Sequence, residues 1–357
     1  MSTPKRDGSS GRGCCQPTNL AGRHILGTSP ASARVHIVAG GPARPCAASA
    51  ATYRGGVLVD DARVAAFAEL RPLLFSVAYR LLGQASDAED AVQEAWLRYA
   101  AHANDVRDPR AWLLRTVTRL SLDQLSSARA RRERYVGPWL PEPVLTGAGV
   151  AEDPLELVER RELLSLGALA MLERLSAPER AVLVLREALE LSHAEIADAI
   201  GVSEGGSRQL LARARRRIAS SHARATPSAE VHRPLADALV AAFRAGDVST
   251  LVAVLREDVV ALTDGGGEAL AARRPVLGRD RVLRLFAGLL AKAPPELRVA
   301  TVGVNGTPGL VVHAGDGPIQ VVQIVTDPGG RIAEILFVLA PSKLAFARRQ
   351  RPRLGPD

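Results

Sequence analysis

At 357 residues the chain is longer than one ordinary domain, so two or three compact units are expected. Its 46 Lys and Arg outnumber its 38 Asp and Glu, and the formal net charge of +8 favours a polyanionic partner. No run approaches the roughly 18 apolar residues of a membrane span and the N-terminus lacks an apolar signal core, which predicts a cytoplasmic protein without membrane insertion. Cys14, Cys15 and Cys46 show no metal-ligand spacing, which argues against a disulfide framework and against a metal site.

Residues 1–58 are rich in Gly, Ser, Pro, Ala and Arg and lack sustained periodicity, as expected of a disordered extension. A second reading is that they are untranslated: Gly55-Gly56 would suit a ribosome-binding sequence and Val59 a GTG start. From 61 to 134 the pattern is helical. Val64, Phe67, Leu70, Leu74, Val77, Ala78 and Leu81 recur at helical spacing up to Gly83. Ser86 and Glu89 have the spacing of a capping box for a second helix carrying Asp90, Val92, Gln93, Trp96 and Leu97. A third helix starts near Pro109, with Trp112, Leu113, Val117 and Leu120 on its apolar side and Arg110, Arg115, Arg119 and Arg129 elsewhere. The predicted product is a bundle with one arginine face.

Residues 135–153 carry too much Pro and Gly for a helix and read as a linker. Helical periodicity returns over 154–222: first 155–175, then a helix led by Pro178, then a helix-turn-helix. In that unit Ser192 and Glu195 form a capping box, Gly201 supplies the turn and Ser203 caps an arginine-loaded second helix. Such a helix enters the DNA major groove. Glu204, Arg208, Gln209, Ala212 and Arg213 are expected to face the groove, with Val202, Leu210, Leu211, Ala214 and Ile218 buried. Arg208 suits bidentate contact with guanine and Gln209 with adenine, whereas Arg215, Arg216 and Arg217 suit phosphate. Gly205 and Gly206 weaken this helix by about 1 kcal/mol each relative to Ala, so it is expected to tighten on DNA.

Residues 228–340 change texture. An amphipathic helix (Leu235, Leu239, Ala242, Phe243) precedes a short helix at Leu251, the run 259–262 and the turn 264–267. A helix over 279–290 and strand-like runs at 297–304, 309–313, 318–326 and 331–338 follow. This order predicts an α+β domain with a curved antiparallel sheet against helices, then a basic tail over 341–357.

The residues Asp87-Ala-Glu-Asp-Ala-Val-Gln-Glu-Ala-Trp-Leu-Arg98, Asp108-Pro-Arg-Ala-Trp-Leu-Leu-Arg115 and Leu175-Ser-Ala-Pro-Glu-Arg-Ala-Val-Leu-Val-Leu-Arg186, followed by the helix-turn-helix, resemble the extracytoplasmic-function class of bacterial sigma factors. Trp139-Leu140-Pro141, the Asp-Gly-Gly-Gly of 264–267 and the C-terminal extension narrow the resemblance to the subgroup with a fused SnoaL-like domain of the NTF2-like fold. The implied fold is multidomain: two all-α sigma modules, region 2-like and region 4-like, followed by the α+β domain. The resemblance implies that Asp87, Asp90, Gln93, Glu94 and Trp96 bind core RNA polymerase. It assigns Arg115, Arg119 and Arg129 to the −10 region of promoter DNA, and Ser203, Glu204, Arg208, Gln209, Arg213 and Arg216 to the −35 element.

Trp139, Leu140 and Pro141 are the expected handle for a regulatory contact with Asp264, Gly265, Gly266, Gly267 and Lys343. A tethered domain acts on that handle at high effective concentration. Two stretches depart from the subgroup's common pattern: Glu268 stands where members commonly have Lys, and Ala340-Pro-Ser-Lys-Leu344 where they often have Asn-Pro-Asp-Lys-Leu. The implied function is an alternative sigma factor, not an enzyme and without a cofactor, whose C-terminal pocket is a candidate site for a small ligand. Asp264, His313 and Asp316 are weaker candidates for acid–base chemistry there, since both aspartates suit ordinary turns. The alternative reading is a ligand-sensing helix-turn-helix regulator that does not bind polymerase; Asp90, Gln93 and the Arg115 helix argue against it.

Overall fold

Periodicity, caps and turn glycines build two helical modules and one sheet domain. The computed structural model describes residues 52–54, 57–59, 61–102, 106–132, 135–147, 165–219, 229–294, 296–315 and 317–350. The cysteines, most of the N-terminal extension, Asp316 and the stretch 148–164 lie outside them. Strands β1 (Thr52–Arg54) and β2 (Val57–Val59) pair antiparallel with Arg54 opposite Val57. This differs from the disordered extension expected up to residue 58. Thr-Tyr-Arg and Val-Leu-Val around Gly-Gly are a local two-residue hairpin signal that the composition of the whole segment conceals.

Helix α1 (Asp61–Leu82) stops at Gly83, which adopts φ +69° and closes the turn with its N–H on Tyr79 O at 2.8 Å. Helix α2 spans Ala85–His102 and α3 Pro109–Arg132, the latter opened by Asp108, whose Oδ1 accepts from Ala111 N at 3.1 Å. Leu74, Val77, Leu81, Ala88, Val92, Leu113 and Val117 are buried between the three. The start of α2 departs from expectation. Ser86 lies inside the helix, and its hydroxyl and N–H both meet the carboxylate of distant Glu142 rather than a local Glu89 box.

The second module comprises α4 (Leu166–Leu172), α5 (Ala177–Leu189), α6 (His193–Ile200) and α7 (Glu204–Ala219). The capping box of Ser192 and Glu195 is present and Gly201 takes φ +72° at the turn. Ser203 Oγ accepts from Gly206 N at 3.0 Å, capping α7 as expected. Leu210, Leu211 and Ala214 are buried, with Val202 and Ile218 partly so, while Glu204, Arg208, Gln209, Ala212 and Arg213 are exposed. Leu185, Ile196 and Leu211 join the same apolar cluster as Leu113 and Val117, so the two modules share one core.

The C-terminal domain opens with α8 (Ala229–Ala245) and a 3-10 turn at Ser249–Ala253. Strand β4 (Leu255–Asp264), the short β5 (Val276–Leu277) and α9 (Arg279–Ala291) follow. Next come β6 (Arg298–Val304), β7 (Thr307–Ala314), β8 (Gly317–Thr326), β9 (Ile332–Val338) and α10 (Ala345–Arg349). The segment 135–147, read as linker, adds its own strand, β3 (Leu145–Thr146), opposite Val304 and Gly303. The seven-stranded sheet runs β3-β6-β7-β8-β9-β4-β5 and is antiparallel except for β4 beside β9. Register shifts at 255/260, 312/313 and 325/326 supply bulges that bend the strands.

One sheet face packs Val299, Leu310, Val322 and Phe337 against Leu239, Val240, Val282 and Phe286. The other packs Val304, Val311 and Val321 against linker residues Leu140 and Leu145, Leu166 of α4, and Leu344 and Ala347. The expected basic tail is therefore in part a docked helix. Phe346 of α10 is buried with its ring 6.2 Å from Phe75 of α1, and Gln350 exchanges hydrogen bonds with both backbone groups of Leu145 at 2.7 and 2.8 Å. Apolar residues of an amphipathic five-residue helix outweigh its arginines once two facing surfaces are available. Among the described residues no helix is long and apolar enough to cross a membrane.

Candidate functional site

The linker and the end of β4 form the most heavily bonded polar site among the expected residues. Asp264 is fully buried and Lys343 is 5 % exposed. The Asp264 carboxylate accepts from Tyr135 Oη at 2.6 Å, Leu140 N at 2.7 Å and Lys343 Nζ at 2.6 Å. Lys343 Nζ also donates to Leu140 O and lies 4.1 Å from the Trp139 ring centroid and 4.6 Å from that of Tyr135. Both backbone polar groups of Leu140 are thus gripped by one ion pair. Burial, then the bond to the Asp264 carboxylate, raises the Tyr135 pKa well above its ordinary value, so the phenol keeps its proton and donates.

At Gly266, with φ +62°, a Cβ would lie 2.8 Å from Tyr135 Oη, and a Cβ on Gly265 would lie 2.5 Å from Ala269 O. The expected handle and its receiving turn are therefore brought together, with Lys343 as the closing cation. The two departures from the subgroup pattern also touch. Glu268 Oε2 accepts from Ser342 N at 3.1 Å and Oε1 accepts from the Ser342 hydroxyl.

The α1–α2 corner is where the linker and the second module meet the first. A Cβ on Gly83 would come within 2.9 Å of the Trp139 ring, so glycine is needed both for the turn and for this approach. Arg180 of α5, 2 % exposed, donates to Leu81 O at 2.6 Å, Leu172 O at 2.9 Å and Glu173 Oε1 at 2.7 Å. Burial lowers its guanidinium pKa to about 9, and those acceptors replace lost water. Arg180 lies inside a recognised motif, but an arginine's burial leaves no trace in sequence. Glu142 and Asn305 were likewise not anticipated; Asn305 Nδ2 donates to Tyr79 Oη at 2.6 Å, and its Oδ1 accepts from Val144 N at 3.1 Å.

Of the expected polymerase-binding residues, Asp90 and Gln93 are exposed on α2, and Asp87 is half-buried. Glu94 pairs with Arg98 at 2.8 Å. Trp96 is half-buried and packs its ring 4.8 Å from Phe67 and 6.3 Å from Tyr99, so part of it serves the core. Among the expected DNA-binding residues, Arg115 and Arg119 turn toward α6. Arg115 Nη1 meets Asp198 Oδ2 at 2.8 Å, while Arg119 donates to Asp198 O at 2.8 Å and Ala199 O at 3.1 Å, the negative end of that helix.

A cleft of about 130 Å³ lined by Arg115, Thr118, Leu185 and Asp198 marks this seam. The side chain of Arg129 lies outside the described residues. On α7, Arg208 pairs with Glu204 one turn earlier, Arg213 approaches Glu179 at 3.9 Å, and Gln209 and Arg216 are exposed. The recognition face is thus open, while two first-module arginines are engaged by the second module.

Two family models match: sigma-70 region 2 over residues 66–131 and sigma-70 region 4 over 166–218. The ECF RNA polymerase sigma factor SigJ of Mycobacterium tuberculosis is 38 % identical over 307 residues, covering 82 % of this chain and 96 % of that protein. A probable ECF RNA polymerase sigma factor of the same species, SigI, is 33 % identical, covering 78 % of this chain and 94 % of that protein. The crystal structure of M. tuberculosis SigJ superposes with a TM-score of 0.65 at 36 % identity, covering 79 % of this chain and 98 % of that one. The chain belongs to the extracytoplasmic-function RNA polymerase sigma factors, with sigma regions 2 and 4 followed by a C-terminal SnoaL-like domain.

Proposed function

We propose that this chain is an alternative sigma factor that binds core RNA polymerase and promoter DNA to direct transcription initiation, and that its C-terminal domain tunes that activity by holding the linker. The observation that carries the tuning is the double grip of Asp264 and Lys343 on the N–H and C=O of Leu140. While that grip lasts, the second module stays packed on the first, and Arg115 and Arg119 are occupied by α6. Releasing the linker frees those arginines for DNA and lets the two modules adopt the spacing of two promoter elements.

Asp90 and Gln93, exposed three residues apart on α2, supply the polymerase contact, with Asp87, Glu94 and the exposed part of Trp96 around them. On α7, Arg208 and Gln209 read bases at the −35 element with Glu204 and Arg213 facing the same groove; Arg216 contacts phosphate, and Ser203 caps the start of the helix. Purified full chain titrated into fluorescently labelled core polymerase tests the reading. Saturable binding that weakens in Asp90→Ala and Gln93→Ala is expected; absence of binding by the wild-type chain contradicts it.

A further inference from the structure

We infer that Glu142, a linker residue, is the N-cap of the polymerase-binding helix α2 and positions the turn that carries Asp87. The inference rests on the sigma-factor reading above. Helix α2 begins at Ala85, directly after Gly83 and Gln84, and Gln84 is not among the residue types that favour the cap position. Its first two amides are satisfied from 57 and 56 residues away. Glu142 Oε2 accepts from Ala85 N at 2.8 Å, Ser86 N at 3.1 Å and Ser86 Oγ at 3.1 Å. A carboxylate there also faces the positive end of the helix dipole.

The main chain of Glu142 is fixed to the same corner. Its N–H donates to Gly83 O at 2.8 Å, and its carbonyl accepts from Tyr79 Oη at 2.5 Å. Pro143, which follows it, biases its backbone to extended conformations. Glu142 is 2 % exposed, so water does not replace its carboxylate at the amides. Five bonds thus anchor residue 142 to the first module, whereas Tyr135 and Leu140 are held by Asp264. On the other side of Glu142, Val144 is held by Asn305 and Leu145 by Gln350, so Glu142 bonds to the first module between two stretches of linker that are held by the C-terminal domain.

Asp87 lies two residues into α2 and Asp90 less than one turn further. Without the cap the first turn frays, and polymerase must bind a helix whose acidic face is only partly formed. Glu142 touches no reacting group; it is a positioning residue acting through α2.

The test measures affinity of the full chain for labelled core polymerase, together with hydrogen exchange at the Ala85 and Ser86 amides, in wild type, Glu142→Ala and Gln84→Asp/Glu142→Ala. Glu142→Ala should bind about tenfold more weakly, the loss of one cap, with faster exchange at both amides. A local cap at residue 84, whose side chain reaches the Ser86 amide, should return affinity to within about threefold of wild type and restore protection at Ser86. Unchanged affinity in Glu142→Ala overturns the proposal, as does a loss that the residue-84 cap does not recover. If Glu142→Ala does not fold, the double variant decides: folding and binding support the proposal, and their absence overturns it. A wild-type chain that does not bind core polymerase overturns the sigma reading itself, a result distinct from any difference among the variants.

Discussion

Lys343→Met removes the cation from the clasp while keeping a long apolar stem. In the wild type Lys343 Nζ lies 2.6 Å from Asp264 Oδ2, donates to Leu140 O and sits over the Trp139 and Tyr135 rings. Removing one partner of a buried ion pair costs about 3–5 kcal/mol, because the other charge is left uncompensated. Asp264 keeps the Tyr135 hydroxyl and the Leu140 amide as donors, which places the cost near the lower end. About 3 kcal/mol corresponds to a shift of about 100-fold toward the released linker.

The direct readout is exchange of the Leu140 amide, whose hydrogen Asp264 holds; it should accelerate by that factor while amides of the α1–α3 core stay protected. Run-off transcription should rise with it. Asp264→Asn combined with Lys343→Met removes both charges, so it should recover part of the lost protection. Unchanged Leu140 exchange in Lys343→Met would refute the clasp.

Asp198→Arg replaces an exposed ion pair with like charge against Arg115; the loss and the repulsion together are worth about 1–2 kcal/mol. It should lengthen the distance between labels on regions 2 and 4, and an unchanged distance would show that this contact does not hold the modules together. His232 is buried, with both ring nitrogens lacking a hydrogen-bond partner among the described residues, and burial lowers its pKa below 6.5. The unfolded chain therefore binds more protons below pH 6.5, so stability is full above that value and is lost as pH falls, by up to about 1.4 kcal/mol per pH unit. His232→Leu should flatten this dependence between about pH 7.5 and 5.5 in urea unfolding, leaving the similar contribution of His313, lowered by burial and then by Arg298. An identical pH dependence in His232→Leu would contradict the assignment. Arg208→Ala should cost about 1–3 kcal/mol at one base of the −35 element, and unaltered base preference across a promoter library would exclude direct readout by Arg208.

Signals local in sequence were legible. The Ser192 and Glu195 box, the Gly201 turn and the buried stripe of Leu210, Leu211 and Ala214 each depend on residues three or four apart, and each is present. The strands of the C-terminal domain also fall close to their expected runs, because Asn305-Gly306 and Gly329-Gly330 punctuate them. What escaped depends on partners far apart in the chain. Ser86 and Glu89 have capping-box spacing, yet a buried carboxylate at residue 142 takes the Ser86 amide and hydroxyl that such a box would use. Residues 135–147 are too rich in Pro and Gly to suggest regular structure, but they are ordered by Asp264, Asn305 and Gln350, each more than 120 residues away.

Arginines posed the same difficulty at the interfaces. Arg115, Arg119 and Arg180 have one side-chain chemistry, and only the packing of α6 on α3 and of α5 on α1 tells which of them meets a carboxylate, a helix C-terminus or the protein interior. Glu268 and Ser342 read separately as departures from a family pattern; in the fold they are hydrogen-bonded to each other.

Run-off transcription by purified core RNA polymerase on the DNA upstream of this protein's own gene, with and without the full chain, tests the central claim most directly. The account predicts a transcript with one defined start that appears only when the chain is present and strengthens in Lys343→Met. No transcript from either form, on DNA that the chain still shifts in the absence of polymerase, would contradict it.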